Sequence, residues 1–65
     1  MKIKIGSLVK INIRLYFSKE KRVEPGDYAI VLAYPDSAST KGFDYLVDCN
    51  GIHLFVFKNE LQLVT

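Results

Sequence analysis

The amino-acid sequence predicts an all-β fold, a small five-stranded barrel built from residues 1–65 as one domain. Two observations support this prediction. Apolar and polar residues alternate along much of the chain, and a period of two is typical of half-buried strands. Asn50-Gly51 lies between two strand-like segments, and this dipeptide favours the type I′ turn of a two-residue hairpin. No stretch has the 3.6-residue period of a helix.

The first half of the chain predicts one long strand followed by a long polar loop. Its inward-facing residues would be Val9, Ile11, Ile13, Leu15 and Phe17. Upstream, Gly6-Ser7 interrupts a shorter alternation and predicts a bend or bulge. The polar loop covers residues 18–27 and contains Pro25-Gly26, which favours a type II turn.

The second half predicts a central strand, a loop, a hairpin and a final strand. Residues 28–34 are apolar on both faces, which indicates a strand covered on two sides, and residues 35–42 are loop-like. The Asn-Gly turn would place Val47 opposite Leu54. The predicted core face of the hairpin is Tyr45, Val47, Cys49, Ile52, Leu54 and Val56. Residues 58–60 predict one turn of 3-10 helix before a last strand at 61–64.

The inventory of reactive side chains argues against catalysis. His53, the one histidine, is expected opposite Asp48 as a structural pair, and Cys49 is expected on the core face. One Cys and one His are too few for a structural zinc site, and no glycine-rich phosphate loop is present. We therefore expect no enzyme activity, cofactor, metal or small-molecule substrate. A single cysteine allows no internal disulfide, which favours the cytoplasm, and the lack of a long apolar run predicts no membrane span.

The order of these segments resembles an SH3-like barrel over nearly the whole chain. The resemblance lies in residues 6–11, in residues 26–32, in the hairpin, and in residues 56–64, where a tight turn feeds the last strand. Many short stand-alone bacteriophage proteins look like this. The resemblance implies a non-catalytic protein-interaction module, such as a phage accessory or structural protein that binds a host or virion protein in the host cytoplasm or in the virion.

Two functional branches of this fold offer alternatives. Residues 6–11 resemble the opening of KOW domains, which implies binding to RNA or DNA, although Ala29 stands where a KOW domain would have glycine. Signalling SH3 domains bind proline-rich peptides through aromatic residues. This chain has no tryptophan and lacks their acidic first loop, so we do not expect that activity.

An aromatic surface is the first candidate site, for a protein partner or for a second copy of the chain. Its members would be Leu46, Phe55 and Phe57 on the non-core face of the hairpin, joined by Phe43, Tyr28 or Tyr34. Apolar patches of this kind mark interfaces. The alternative is that these residues form a satellite cluster covered by residues 18–27.

A basic surface is the second candidate site, for nucleic acid. Residues 1–27 carry seven Lys or Arg against three Asp or Glu, a net charge of +4, whereas residues 28–65 have a net charge of −2. The candidate residues are Lys10, Arg14, Tyr16, Lys19, Lys21 and Arg22. Basic side chains interleaved with an aromatic ring suit phosphate contact and base stacking. The alternative is that this is an ordinary solvated face.

Overall fold

The computed structural model describes residues 3–35 and 42–64. Within them the chain is all-β, as predicted, with one short 3-10 turn and no α-helix. The strands are β1 (Leu8–Ile11), β2 (Leu15–Tyr16), β3 (Arg22–Val23), β4 (Tyr28–Ala33), β5 (Tyr45–Cys49), β6 (Ile52–Val56) and β7 (Leu61–Leu63). The 3-10 turn, Lys58–Glu60, lies between β6 and β7, where the sequence predicts it.

Five of the strands form one antiparallel sheet in the order β6-β5-β4-β1-β7, and β2 and β3 form a separate two-stranded sheet. In the described part of the chain β6 and β7 are edges that do not pair, so the sheet is not closed into the predicted barrel. It must nevertheless curl. A flat sheet would hold β6 and β7 roughly 19 Å apart, at about 4.8 Å per strand. The connection through a 3-10 turn, which rises about 2 Å per residue, is too short for that distance.

The core lies on the concave side of this curled sheet. Its buried residues are Val9, Ile11, Val23, Ala29, Val31, Tyr45, Val47, Cys49, Leu54, Val56 and Leu61. The predicted core face of the hairpin is confirmed, with five of its six members buried and Ile52 half-buried. Each of these side chains alternates with an outward-facing neighbour, which is the pleat that the sequence predicts.

The β5–β6 hairpin has the register that its turn predicts. Asn50 and Gly51 both have positive φ, 54° and 81°, as a type I′ turn requires. The N–H of Gly51 also donates to Asp48 Oδ1 over 3.1 Å, which fixes the start of the turn. Val47 lies opposite Leu54, as predicted.

The first strand is shorter than the alternation predicts. It ends at Ile11, whose N–H donates to Asp27 O over 2.7 Å, and the N–H of Asn12 donates to Glu60 O over 2.8 Å. Both bonds continue the register of β1 with β4 and β7, and beyond them the chain leaves the main sheet for the β2–β3 hairpin. As a result Leu15 is 37% exposed and Phe17 is 57% exposed, so the prediction that they face the core is wrong.

The chain between β1 and β4 forms a hairpin rather than one polar loop. β2 pairs antiparallel with β3, and Val23 of β3 is fully buried in the main core. The predicted turn at Pro25-Gly26 is confirmed: Gly26 has φ 98°, and the N–H of Asp27 donates to Glu24 O over 3.1 Å. The hairpin and turn together bring the chain back to the start of β4.

β4 lies at the centre of the sheet, between β1 and β5, as predicted. Its second face is open, however. Tyr28 is 54% exposed and Ile30 is 38% exposed, so water reaches this side of the strand at both positions. The prediction that β4 is covered on both sides is therefore wrong. The bend predicted at Gly6 is confirmed by its φ of 90°, whereas most of the predicted loop, residues 36–41, lies outside the described residues.

Candidate binding surfaces

Three phenylalanine rings form a stacked cluster at the outer face of the hairpin. Phe43 stacks on Phe57 with ring centroids 4.5 Å apart, and on Phe55 at 5.9 Å. Phe55 is 43% exposed and Phe57 is 38% exposed, while Phe43 is half-buried. We call these three residues the phenylalanine patch. Leu46 lies opposite Phe55 on the neighbouring strand and extends the apolar surface.

Local hydrogen bonds hold the backbone beneath the patch. The N–H of Asp44 donates to Val56 O over 3.0 Å, and Asp44 Oδ2 accepts the N–H of Lys58 over 2.8 Å. The N–H of Phe57 donates to Glu60 Oε1, also over 2.8 Å. Because these bonds lock the segments that carry the rings, a partner would meet a preformed surface at a low ordering cost.

The two tyrosines proposed as further members of the aromatic surface lie elsewhere. Tyr34 packs against Tyr45 with ring centroids 6.0 Å apart, and its hydroxyl donates to Ile3 O over 2.7 Å. Tyr28 lies on the outer face of β4, where Lys10 Nζ is 5.5 Å from its ring centroid. Of the three residues that the sequence adds to the patch, only Phe43 joins it.

The patch is not a satellite cluster beneath residues 18–27. More than a third of the surface of Phe55 and of Phe57 faces solvent. The buried residue of that segment is Val23, which packs into the main core instead. Among the described residues, the patch is therefore available to a partner.

The basic candidates fall into two groups. Tyr16 and Arg22 face each other across β2 and β3, and Lys19 and Lys21 lie in the connecting turn, all four exposed. Lys10 is outside this group, on β1 of the main sheet. The predicted single basic surface is thus divided.

The remaining basic candidate is already paired. Arg14 Nε lies 2.9 Å from Glu24 Oε2, and both side chains are substantially exposed, 73% and 43%. An exposed pair of this kind contributes about 0.2–1 kcal/mol, so its main effect here is to offset the positive charge of Arg14. The hairpin from Arg14 to Glu24 has four basic and two acidic side chains, a net charge of +2.

The tip of this hairpin is shaped by Ser18. Its Oγ accepts the N–H of Lys21 over 3.0 Å and the N–H of Glu20 over 3.3 Å. The carbonyl of Lys21 accepts the N–H groups of Phe17 and Ser18, both over 2.9 Å. The tight turn that results presents its charged side chains to solvent.

The titratable residues of the β5–β6 hairpin lie where the sequence places them. Cys49 is fully buried, and desolvation raises the pKa of its thiol, with smaller contributions from the negative charges of Asp27 and Asp48. His53 lies opposite Asp48 and is exposed. The described residues contain no group of three His, Cys, Asp or Glu side chains that could hold a metal ion.

An open groove that the sequence did not predict lies beside β7. Its volume is about 340 Å³, and polar side chains of β1, β7 and the 3-10 turn line it, among them Lys10, Asn59 and Gln62. These residues are distant in sequence, and the groove exists only because β1 pairs with β7. No local pattern could have indicated it.

The described segments include no helix with the length and apolar character needed to cross a bilayer. Comparison with known proteins found no matching protein-family model, no similar curated protein and no similar solved structure. The function of this chain must therefore be argued from its own surfaces.

Proposed function

We propose that this chain is a non-catalytic protein-interaction module of SH3-like architecture. The strand order β6-β5-β4-β1-β7 supports the architectural part, together with the hairpin inserted between β1 and β4 and the 3-10 turn before the last strand. The proposed resemblance concerns the strand order of a curled five-stranded sheet, whose edge strands β6 and β7 are not joined by hydrogen bonds.

The phenylalanine patch is the observation that carries the functional part. Three stacked rings, two of them more than a third exposed, keep apolar surface in contact with water. Each Å² of that surface removed from water contributes roughly 25 cal/mol to association. Aromatic residues are also enriched among the few positions that dominate binding energy at protein interfaces.

The surroundings of the patch also suit a protein partner. Three exposed polar residues lie at its margin. Asp44 and Lys58 directly follow Phe43 and Phe57 in the sequence. His53 lies on β6, two residues before Phe55. An apolar centre with a polar rim is the usual arrangement of a transient interface. We propose a partner that presents an apolar side chain to the rings and polar groups to this rim.

The cellular setting is part of the same proposal. A single cysteine, buried in the core, supports a reducing compartment such as the cytoplasm. The resemblance of its strand order to small SH3-like barrels supports a role as a bacteriophage accessory or structural protein, with a host or virion protein as the partner.

Affinity capture with paired variants tests the proposed interface. The tagged chain and a variant with Phe55→Ser and Phe57→Ser are used as baits in native lysate of the source organism. The control is Phe17→Ser, which removes a ring of comparable exposure, 57%, that is outside the patch. We expect specific proteins to be captured by the wild type and the control but lost from the patch variant. Equal capture by all three baits would contradict the assignment.

Nucleic-acid binding is the second candidate, and the β2–β3 hairpin is the observation that favours it. Tyr16 and Arg22 lie side by side, with two lysines in the adjoining turn. Such a surface, as in a KOW-like domain, could stack one base and contact phosphates. The pairing of Arg14 with Glu24 weakens this case because it offsets one positive charge.

A salt titration decides this second candidate. If the hairpin binds an oligonucleotide, affinity must fall steeply as salt rises, since phosphate contacts release counterions. Reversal of charge with Lys21→Glu and Arg22→Glu should flatten that dependence, whereas Lys58→Glu, a charge reversal outside the hairpin, should change it less. Binding that is absent at low salt would remove this candidate.

A further inference from the structure

The open edge of the main sheet at β6 lacks the features that normally protect an edge strand. Proteins block such edges with lysine, proline, bulges or short strands, because unpaired backbone groups recruit other strands. Residues 52–57 contain no Lys, Arg, Asp, Glu or Pro, and β6 pairs with β5 at five consecutive positions without a bulge. The opposite edge, β7, has only three residues and directly follows Glu60.

The geometry of the hairpin determines which backbone groups face this edge. A type I′ turn makes Cys49 and Ile52 a hydrogen-bonded pair, and such pairs recur at every second position. The N–H and C=O groups of the intervening residues, His53 and Phe55, therefore point away from β5. No described element pairs with them on that side.

Glu60 determines where this open edge ends. Phe57 is the next residue in the outward-facing series, and its N–H is already bonded to Glu60 Oε1 over 2.8 Å. A strand that adds to the edge can thus use His53 and Phe55 but not Phe57 as donors. The available edge is short and symmetric about Leu54.

We infer that β6 pairs antiparallel with β6 of a second copy of this chain, with Leu54 on the two-fold axis. This inference rests on the proposed protein-binding role, and it specifies a second copy of the chain as one partner. His53 of each copy would lie opposite Phe55 of the other, and each such pair exchanges two hydrogen bonds. An isologous contact of this kind is closed, so it stops at the dimer.

The register with Phe55 on the two-fold axis is disfavoured by the cap on Phe57. Placing Phe55 on the axis would bring His53 opposite Phe57, and that pair would need the N–H group that Glu60 holds. With Leu54 on the axis, the five residues of each strand that meet carry no formal charge when His53 is neutral. No like charges oppose one another, and the two phenylalanine patches lie on the same side of the joined sheet.

Concentration-dependent mass and amide exchange test this dimer on the full chain. Sedimentation equilibrium should show a monomer that becomes a dimer, and the small contact implies weak affinity. The amides of His53 and Phe55 should exchange about tenfold more slowly when roughly nine in ten chains are dimeric, since exchange then proceeds from the monomer. The amides of Leu61 and Leu63, at the other edge, should not change.

A lysine placed on the β6 edge tests the proposed dimer, and a lysine on the β7 edge is the matched control. His53→Lys introduces a natural edge-blocking residue at an exposed position, and it should weaken association by about tenfold because it counts twice in a symmetric contact. Leu63→Lys adds the same charge at the other edge, where the side chain is 52% exposed, and should leave association unchanged. A monomer up to about 1 mM, or a dimer without protection at His53 and Phe55, would overturn the inference.

The two proposals fail in distinguishable ways. If the chain stays monomeric but capture of other proteins still depends on Phe55 and Phe57, the dimer is wrong and the interaction module stands. If the dimer forms as described while capture is insensitive to those rings, the module's proposed interface with other proteins is wrong.

Discussion

Val47 lies on β5 of the main sheet, and its truncation tests the register on which the phenylalanine patch and the proposed β6 edge depend. It is fully buried, with Val31 opposite it on β4 and Leu54 opposite it on β6. Val47→Ala removes two carbons, each worth about 0.8 kcal/mol when buried. The cavity left behind raises the expected loss to about 2–3 kcal/mol.

This loss is large for so small a domain. At about 0.05–0.15 kcal/mol per residue, a chain of this length unfolds with a free energy of roughly 3–10 kcal/mol. We therefore expect Val47→Ala to remove roughly a fifth or more of the free energy of unfolding and to lower Tm by about 10–20 °C. Urea unfolding followed by far-UV circular dichroism measures the change, with the slope m unaltered.

Val64→Ala provides the matched control. It removes the same two carbons from a side chain that is 43% exposed, so we expect a loss below about 0.5 kcal/mol. If the two variants lose equal stability, or if Val47→Ala is neutral, then residue 47 does not face the core. The alternation of faces along β5 and β6 would then be wrong.

Two further predictions concern the turn and the buried thiol. Gly51→Ala should lower the free energy of unfolding by about 1–2 kcal/mol, because the alanine must adopt φ 81°, although its Cβ would meet no atom within 4 Å. Asn50→Gly is the control, since glycine adopts positive φ without strain. Equal urea midpoints for the two variants would refute the type I′ turn. Burial raises the pKa of Cys49 above its ordinary value of 9.0, so the folded state favours the protonated thiol. The stability that protonation of this thiol contributes is therefore complete below pH 9 and is lost as the pH rises through the folded pKa. Cys49→Ala should therefore show a shallower alkaline loss of stability than the wild type, and parallel pH profiles would argue against a buried thiol.

The hairpin was predictable because its determinants are local. Asn50 and Gly51 specify the turn, and the turn specifies every pair up to Tyr45 and Val56. The same register placed Phe55 on the outer face, so part of the phenylalanine patch could be located from sequence. Phe43 could be suggested but not assigned, since its position depends on the chain path before β5.

The end of β1 was not predictable from local pattern. Alternation continues to Phe17, yet the strand stops at Ile11, and its pairing with the main sheet ends at the backbone bonds to Asp27 and Glu60. Those partners are 16 and 48 residues away in sequence. Only the folded chain brings these residues next to β1, and the periodicity of a single segment contains no information about backbone bonds to distant residues.

The separation of the aromatic residues has the same origin. Tyr34 donates its hydroxyl hydrogen bond to Ile3, which lies 31 positions earlier. Tyr28 is drawn toward Lys10 because β1 pairs with β4. Residue type alone suggested one aromatic surface, whereas strand pairing distributes the rings over three places.

The weak attachment of the β2–β3 hairpin to the core determines which part of the molecule opens locally. Between residues 12 and 28 only Val23 is fully buried, with Ile13 half-buried beside the core. Withdrawing one valine costs about 1.5–3 kcal/mol, which is at or below the low end of the range expected for global unfolding. A sub-population of roughly 0.5–8% would thus hold this arm detached while the five-stranded sheet persists. Tyr16 and Arg22 would then sample many orientations, which gives this arm an adaptability that the rigid face of β5 and β6 lacks.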